Sequence, residues 1–561
     1  MATRWIYAFS AILPIGVLAY VLSAQAAPAA PENLVLSPVE VNLNQLVTPG
    51  YGHAPVNIRR HFANPTLLGE VKTNLAELRK GASSKGGGGG HGKPTPTPSP
   101  SPSPSPTPTP VPSPVPISSG ASAHPVTFSS PSFIGMNLYG GGGLIPPDTN
   151  VAAGTDSTYG TLIYEAVNSI STVYNSTGVG VSTLIPGACT TNTSIDSVSD
   201  PRVLFDSGHW FVSTTTFSPI GDASWNLTFS TTNDPNSTWY CLIIPTSTIS
   251  NPDHSTGNFP DFPKMGINSD KIVLTGDAFS QTGPQSYKYQ GTEFVVINKS
   301  DVLSTSGTVN VALYPPDQGD FAIEPAFQIN STKDPLYMAA VNSGLASTSS
   351  LDVWRITGVP GGNNLQITTR SLPIGTISYP PNARQAGTSE QLDTNDDSLL
   401  DAFFRESSGS LWVSANDACT PSSDTAVRSC LRFIKVSIAA DGTPSIAQDF
   451  DYGDVGTDYY YPAVRTDDAG NLYASFSGSS GTTYPSAYAG VEASGNTNEL
   501  TKLSVTHAGE VAYALTPPRW GDYSGATVDP GGASAWLGAE YSESFSIFGS
   551  IWGTAIAHVS P

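Results

Sequence analysis

A short phrase recurs about every 60 residues through the C-terminal three-quarters of the chain: a polar or acidic turn followed by an aromatic or aliphatic strand. Six copies begin at Asp206, Asn268, Asn330, Glu406, Asp467 and Asp529, in steps of 62, 62, 76, 61 and 62 residues, and a weaker copy begins at Asp156. A fixed period of this size predicts a repeat architecture, and the strand–turn–strand content predicts a β-propeller rather than a helical solenoid. The expected fold is all-β with seven blades, and six blades are the alternative.

The charge distribution restricts the partners of the repeat region. Residues 1–118 contain eight Lys or Arg and four Asp or Glu, so the remainder carries 16 basic against 41 acidic residues, a formal charge of −25. Such a surface repels phosphate backbones and anionic lipid headgroups, which argues against nucleic acid as a partner. A polyanionic glycan is disfavoured for the same reason, unless a local Arg cluster or a metal ion compensates for the repulsion.

The N-terminus has the pattern of an export signal. Arg4 precedes an apolar run from Trp5 to Leu22, and Ala24-Gln25-Ala26 supplies small residues at the cleavage point. This pattern predicts a signal peptide over residues 1–26, a secreted or cell-surface protein, and no membrane span after cleavage. An uncleaved anchor is the alternative, because the apolar run approaches the length that spans a bilayer.

Two further segments precede the repeats. Residues 27–92 contain too little apolar sequence for an independent core, so they are expected to form a partly ordered arm with one amphipathic helix near Thr66 to Lys80. Residues 93–118 form a Pro-rich linker in which alternate residues are proline, which favours an extended polyproline II stalk. The propeller domain is then predicted over residues 119–561.

The four cysteines are consistent with an oxidising compartment. Cys419 and Cys430 flank a polar loop, so a disulfide that closes this loop is expected. It would leave Cys189 to pair with Cys241. Three pairings are formally open, and none of them has metal-site spacing, so all four cysteines are interpreted as structural.

A second recurring feature is a single acidic or tyrosine residue, five to eight residues before each turn phrase, on the strand that precedes the turn. Acidic residues occupy this place in six repeats and a tyrosine occupies it in another: Asp148, Asp200, Asp261, Glu324, Asp401, Asp522 and Tyr461. If this strand is the innermost strand of each blade, these side chains converge at one mouth of the central channel. They are therefore the predicted ligand-binding residues.

Five longer phrases of the repeat region match those of a known group of proteins. They are Pro-Pro-Asp-Thr-Asn-Val-Ala-Ala-Gly from Pro146, Asp-Pro-Arg-Val-Leu-Phe-Asp from Asp200, Phe-Pro-Asp-Phe-Pro-Lys-Met-Gly from Phe259, Leu-Asp-Thr-Asn-Asp-Asp from Leu392 and Arg-Trp-Gly-Asp-Tyr-Ser-Gly from Arg519. Residues 135–561 thereby resemble secreted bacterial β-propeller proteins of sialidase-superfamily-like architecture. Most members have no assigned activity, so the resemblance implies fold and export rather than chemistry.

Two details qualify this resemblance. The group has an Arg after the paired Asp of the Leu392 phrase, whereas this chain has Ser398, which puts any site that uses that Arg in doubt. One degenerate Asp-box, from Thr232 to Trp239, resembles the turn that recurs in sialidases. In sialidases this box is remote from the active site, so it indicates architecture only.

Sialidase-type hydrolysis requires an Arg cluster for the substrate carboxylate, a Tyr nucleophile activated by Glu, and an Asp acid/base. If the protein is an enzyme, the catalytic candidates are Arg202, Asp261, Arg465, Arg519, Asp522 and Tyr461, with Glu540 and Tyr541 as a further pair. Structural ion pairs between blades would produce the same pattern of Arg and Asp.

A metal site is a separate hypothesis. Asp393, Asn395 and Asp397 place oxygen ligands at alternate positions, as calcium loops do, but the EF-hand pattern fails at Ser398. No cofactor is required by any motif, and calcium is the candidate ion. A solvated acidic turn is the competing interpretation.

The expected function is an exported, monomeric binding or scaffold module for extracellular glycans or surface proteins. The alternative is a carbohydrate-active enzyme, either a sialidase-like glycoside hydrolase or a polysaccharide lyase, with its site at the channel mouth. Trp210, Trp412 and Trp536 lie near blade turns, where they would either stack on sugar rings or form the blade core.

Overall fold

Seven β-sheets surround a central channel in the computed structural model of this protein. The structure describes residues 32–36, 39–41, 115–118, 124–168, 170–184, 197–217, 223–246, 258–283, 286–304, 308–317, 321–329, 331–332, 334–341, 347–362, 364–515, 518–545 and 549–561.

The strands are grouped into blades in chain order. Four strands come first: β1 Glu32–Leu36, β2 Val39–Val41, β3 Ile117–Ser118 and β4 Thr127–Asn137. Blade 1 contains β5 Asn150–Asp156, β6 Gly160–Val167, β7 Ile170–Asn175 and β8 Gly180–Leu184. Blade 2 contains β9 Ser197–Asp206, β10 His209–Phe217, β11 Ala223–Ser230 and β12 Trp239–Pro245. Blade 3 contains β13 Phe259–Ile267, β14 Lys271–Gly283, β15 Ser286–Asn298 and, after helix α1 Lys299–Ser304, β16 Val309–Asp317.

The second half of the ring follows the same plan. Blade 4 contains β17 Glu324–Pro325, β18 Leu336–Val341, β19 Ser347–Thr357 and β20 Gln366–Ser378. Blade 5 contains β21 Leu399–Arg405, β22 Ser410–Cys419, β23 Arg428–Ile438 and β24 Pro444–Tyr452. Blade 6 contains β25 Thr457–Thr466, β26 Leu472–Ser480, β27 Thr483–Glu492 and β28 Lys502–His507. Blade 7 contains β29 Gly525–Val528, β30 Ala535–Phe545 and β31 Gly549–Ser560, and β4 is its outermost strand.

The first strand of every blade is the innermost strand. Each of these strands contacts the first strands of both neighbouring blades, and β29 of blade 7 contacts β5 of blade 1. The ring therefore closes with seven members, so the predicted all-β, seven-bladed propeller is confirmed and the six-bladed alternative is wrong.

The recurring turn phrases form the inner hairpins of the blades. In blade 2 the turn after Asp206 contains Ser207 and Gly208, both with positive φ (52° and 80°), which suits a tight turn between twisted strands. In blade 6 the Asp467 carboxylate accepts hydrogen bonds from Asn471 N at 2.8 Å and Tyr473 Oη at 2.9 Å. The turn phrases thus lie at one end of the channel, and the opposite end, where the innermost strands begin, is the channel mouth.

The tryptophans of the turn phrases belong to the blade cores. Trp210, Trp412 and Trp536 are all buried. Trp210 packs between Phe205 and Tyr164, so it joins blade 2 to blade 1. Of the two interpretations of these tryptophans, the blade core is correct, and stacking of these rings on sugars is wrong because no face of them is available.

Three strands from the N-terminal segments extend the blades. Strand β1 pairs antiparallel with β16 of blade 3, and β2 pairs antiparallel with β12 of blade 2. Strand β3, at the end of the Pro-rich linker, pairs parallel with β24 of blade 5. The predicted signal peptide, the helix near Thr66 to Lys80 and most of the linker lie outside the described residues.

One predicted disulfide is observed directly. Cys419 and Cys430 are bonded, with their Cα atoms 5.8 Å apart, and join β22 to β23 across the polar loop. Cys241 is also disulfide-bonded, while Cys189 lies outside the described residues. Among the helices that the structure describes, none is long and apolar enough to cross a membrane.

Strand β4 closes the ring. It pairs antiparallel with the C-terminal strand β31, so a segment that precedes blade 1 in the chain completes blade 7. Its Phe133 ring lies 6.3 Å from Trp536 of blade 7 and 5.3 Å from Tyr174 of blade 1. It also packs against Gly178 of blade 1, where an added Cβ would lie 2.5 Å from the ring.

We expect Phe133→Ala to lower the free energy of unfolding by about 2–3 kcal/mol, because it removes the ring that fills the contact between blades 7 and 1. Phe128→Ala on the same strand, where the side chain is 41% exposed, should lower it by less than about 1 kcal/mol. Urea denaturation measures both variants. Equal losses would show that Phe133 has no special part in closure.

Candidate binding site at the channel mouth

Three of the innermost strands contain a residue with positive φ in the half of the strand nearer the channel mouth. Asp200, Phe262 and Tyr461 have positive φ values of 53°, 53° and 58°, and each is followed by proline. The register of the first hairpin shifts at these residues in blades 2, 3 and 6, as it does at a β-bulge. The acidic residue that recurs before the turn phrases in the sequence therefore lies at or next to this bulge. In blade 3, Phe262 rather than Asp261 occupies the bulge position.

Three predicted ligand-binding residues meet at the mouth. Asp148, Asp200 and Asp522 are buried, and one carboxylate oxygen from each lies within 4.8 Å of those of the other two. Asn168 connects two of them, because its Nδ2 donates to Asp148 Oδ2 at 2.7 Å and its Oδ1 accepts from Asp200 N at 3.0 Å. Burial raises the pKa of Asp148 well above its ordinary value, and the charges of Asp522 and Asp200 raise it further. We call these three residues the acidic triad.

Arg519 is the cation that neutralises part of this charge. Its Nη2 donates to both carboxylate oxygens of Asp522, at 2.9 and 2.7 Å. Burial alone would lower the pKa of Arg519, but the carboxylates of Asp522 and Asp393 raise it. Tyr461 lies beside this pair and donates its hydroxyl to the main-chain oxygen of Asp393 at 3.0 Å. Burial raises the pKa of Tyr461 well above its usual value, so its phenol stays protonated.

Glu540 adds a fourth carboxyl group from β30. Its Oε2 accepts a hydrogen bond from Gly521 N at 2.7 Å, and a Cβ at Gly521 would lie 2.6 Å from the same oxygen, so a larger residue there would displace the Glu540 carboxyl group. Burial raises the pKa of Glu540, and Asp148 and Asp522 raise it further. The adjacent Tyr541 faces the other side of the strand, where its ring centroid lies 4.1 Å from that of His507. Glu540 and Tyr541 therefore do not act as one pair.

A stack of cations and rings forms the wall of the mouth. The Arg202 guanidinium lies 3.5 Å from the centroid of Tyr523, and Tyr523 stacks on Phe262 at 5.1 Å. On the far side of Phe262, Lys264 Nζ lies 4.3 Å from the ring centroid. Arg202 also donates from Nε to Pro263 O at 3.3 Å. The stack joins blades 2, 3 and 7.

A layer of ion pairs closes the channel beneath the mouth. Lys264 Nζ lies 3.0 Å from Glu324 Oε2 and donates to Leu399 O of blade 5 at 2.6 Å. Arg465 Nη1 bonds Asp401 Oδ2 at 2.5 Å. All of these polar side chains are buried or nearly so.

The structure separates the predicted residues into two levels. Asp148, Asp200, Asp522, Arg519 and Tyr461 lie at the mouth, whereas Glu324, Asp401 and Arg465 belong to the ion-pair layer below. Asp261 lies opposite Asp277 in the inner hairpin of blade 3.

The three candidate arginines do not form one free cluster. Arg519 is paired with Asp522, Arg465 is paired with Asp401, and Arg202 stacks on Tyr523. The predicted metal residues Asp393, Asn395 and Asp397 form a turn in which Asn395 N donates to Asp393 Oδ1 at 3.0 Å. Calcium in that turn stays a prediction, and the acidic triad is a different set of residues.

Three residues of the site were not anticipated. Gly521 lies within the Arg519 phrase, and Lys264 lies within the Phe259 phrase three residues after Asp261, so these phrases already contained them. Asn168 has no repeat counterpart that would single it out.

Comparisons with known proteins found distant structural similarities. No protein-family model and no curated protein sequence matches the chain. A Trypanosoma rangeli sialidase, solved with the inhibitor DANA, is similar at 10% identity and a TM-score of 0.31, over 73% of this chain and 57% of the sialidase. The chain therefore spans little more than half the length of that sialidase.

Two other solved structures are similar at the same level. A neuraminidase-like protein of A/flat-faced bat/Peru has 11% identity and a TM-score of 0.29, over 51% of this chain and 72% of its own. A Dyadobacter fermentans protein of unknown function has 10% identity and a TM-score of 0.27, over 64% of this chain and 94% of its own. The assignment of the fold rests on the seven sheets themselves.

We expect Arg519→Met to lower the free energy of unfolding by about 3–5 kcal/mol, because it leaves the buried Asp522 carboxylate without its cation. Arg370→Met, at an exposed position on β20, should change it by less than about 0.5 kcal/mol. Chemical denaturation at neutral pH measures both. A loss of similar size in the two variants would contradict the assigned role of Arg519.

Buried carboxyl groups behind the mouth make stability depend on pH. Asp277 of β14 accepts hydrogen bonds from Thr292 Oγ1 at 2.6 Å and Ala322 N at 3.0 Å, and burial raises its pKa to about 6. Burial raises the pKa of the adjacent Glu293 from 4.5 to about 8. The folded state therefore holds this proton more tightly than the unfolded state. Its stabilising effect is complete below about pH 4.5 and is lost as the pH rises through about 8.

Glu293→Gln removes this titration, so it should stabilise the protein by about 2–3 kcal/mol more at about pH 8 than at about pH 5, relative to wild type. Urea denaturation at the two pH values measures the difference. The exposed Glu390→Gln is the matched control and should change the free energy of unfolding by less than about 0.5 kcal/mol. A flat response of Glu293→Gln would mean that Glu293 is ionised in the folded state.

Proposed function

We propose that this protein is an exported binding module whose channel mouth binds uncharged glycans. The observation that carries the proposal is the convergence of Asp148, Asp200 and Asp522 beside Tyr461, at a mouth whose arginines are already engaged. Carboxylates accept hydrogen bonds from sugar hydroxyl groups, and such charge-assisted bonds are stronger than neutral ones. Export is supported by the signal-like N-terminus and by the disulfide between Cys419 and Cys430.

The charge of the mouth favours a neutral ligand over an acidic one. The chain carries a formal charge of −21, and the arginine nearest the triad is held by Asp522. An acidic sugar would have to approach several carboxyl groups, and the guanidinium beside them is already held by Asp522. A neutral sugar meets no such repulsion, because its hydroxyl groups donate to the carboxylates.

The same contacts argue against sialidase-type hydrolysis. That chemistry requires free guanidinium groups and an activated tyrosine, whereas Arg519 and Arg465 are paired with Asp522 and Asp401. The Tyr461 hydroxyl donates to a main-chain oxygen, and Glu540 bonds Gly521 N rather than a tyrosine. The binding module is therefore the function that the geometry supports best, with no cofactor required for recognition of a sugar hydroxyl.

A glycan array probed with the full-length purified protein tests this proposal. We expect binding to neutral oligosaccharides and none to sialylated or uronic-acid glycans. For the best array ligand, isothermal titration calorimetry should show at least about a tenfold loss of affinity for Asp200→Asn, since one charge-assisted hydrogen bond contributes about 1.5–3 kcal/mol. Asp441→Asn, in an exposed turn of blade 5, is the matched control and should bind as wild type does.

Three results would overturn the proposal. The first is the absence of any neutral glycan ligand, and the second is preferential binding of acidic glycans or of a surface protein alone. The third is release of sugar from a bound glycan, which a reducing-end assay detects and which would identify an enzyme instead.

A further inference from the structure

The spacing of the acidic triad matches the oxygen shell of a large divalent cation. One oxygen from each of Asp148, Asp200 and Asp522 lies within 4.8 Å of the other two. Calcium binds oxygens at about 2.3–2.6 Å, so two of its ligands lie at most about 5 Å apart. Three carboxylates from blades 1, 2 and 7 can therefore contact one such ion without movement of the backbone.

The Tyr523 hydroxyl supplies an independent observation. Tyr523 is 2% exposed, and its hydroxyl has no hydrogen-bond partner among the described residues. That hydroxyl interacts electrostatically with all three carboxylates of the triad. Arg202 and Phe262 hold the ring between them, so the hydroxyl cannot turn away to solvent. A buried hydroxyl without a partner is costly, and it indicates that a further group belongs beside the triad.

The charge balance of the mouth points in the same direction. Five carboxyl groups interact with one another or with Arg519 there: Asp148, Asp200, Asp522, Asp393 and Glu540. Among the residues that the structure describes, two guanidinium groups accompany them, those of Arg519 and Arg202. Burial of uncompensated negative charge costs free energy, and a bound cation would offset this cost.

We propose that Asp148, Asp200, Asp522 and Tyr523 bind one divalent cation at the channel mouth, with calcium preferred. Carboxylate and hydroxyl oxygens are hard ligands, which suit calcium rather than zinc. Magnesium requires oxygens at about 2.0–2.1 Å in a nearly ideal octahedron, whereas calcium accepts a more irregular shell of oxygens. This site differs from the turn of Asp393, Asn395 and Asp397.

The cation is compatible with glycan binding but does not depend on it. Calcium takes 6–8 oxygen ligands, so four protein residues leave positions that sugar hydroxyls can occupy. The ion would then connect the two ends of the ring, because Asp148 and Asp200 belong to the first two blades and Asp522 enters the last.

The test uses calcium alone, without a glycan. The full-length protein is stripped with a chelator and titrated with calcium chloride at neutral pH by isothermal titration calorimetry. We expect one ion per chain with a Kd of about 10⁻⁶–10⁻⁴ M, and weaker binding of magnesium. Calcium at 100 times the Kd should raise the midpoint temperature of unfolding by at least about 3 °C.

Variants locate the ion. Asp200→Asn should weaken calcium binding at least about tenfold and Tyr523→Phe about three- to tenfold, while Asp441→Asn should have no effect. Circular dichroism in chelator confirms that each variant is folded. The proposal is overturned if wild type binds no calcium below about 10 mM, which would mean that a proton on the triad balances its charge. It is also overturned if Asp397→Asn abolishes binding while Asp200→Asn and Tyr523→Phe retain it, which would place the ion in the turn.

Discussion

The pairing of β4 with β31 is the interaction on which the rest of the structure depends. Seven blades can surround a channel only if the last blade meets the first. Strand β4 holds them together because it precedes blade 1 in the chain and forms the outer edge of blade 7. Phe133 then packs against Tyr174 of blade 1 and Trp536 of blade 7, so backbone hydrogen bonds and apolar burial hold the same joint.

Closure has an electrostatic consequence. It brings the entries of seven innermost strands to one place, and several of those strands carry a charged residue near the entry. Below the mouth, Lys264 pairs with Glu324 and Arg465 pairs with Asp401, so the charges there are balanced in pairs. At the mouth the acids outnumber the arginines, and the proposed binding site rests on this surplus of buried carboxyl groups.

The periodic parts of the protein could be predicted, and the contacts between blades could not. The spacing of turn phrases predicted the blades, and Asp148, Asp200 and Asp522 were recognised because each precedes such a phrase at a similar distance. The distance to the turn phrase did not identify the correct residue in blade 3, because Phe262 rather than Asp261 occupies the bulge there. Pairing of arginines with acids from other blades depends on the packing of sheets, which a repeat period does not describe.

The sequence by itself determined the class of fold, the number of blades to within one and the disulfide between Cys419 and Cys430, since these follow from local turn chemistry and short spacing. Only the tertiary structure decided that seven blades close the ring, that Trp210, Trp412 and Trp536 are core, and which acids share the mouth. The turn phrase that recurs about every 60 residues specifies each hairpin locally. The distance between Asp148 and Asp522, at opposite ends of the ring, is set only when β4 joins β31.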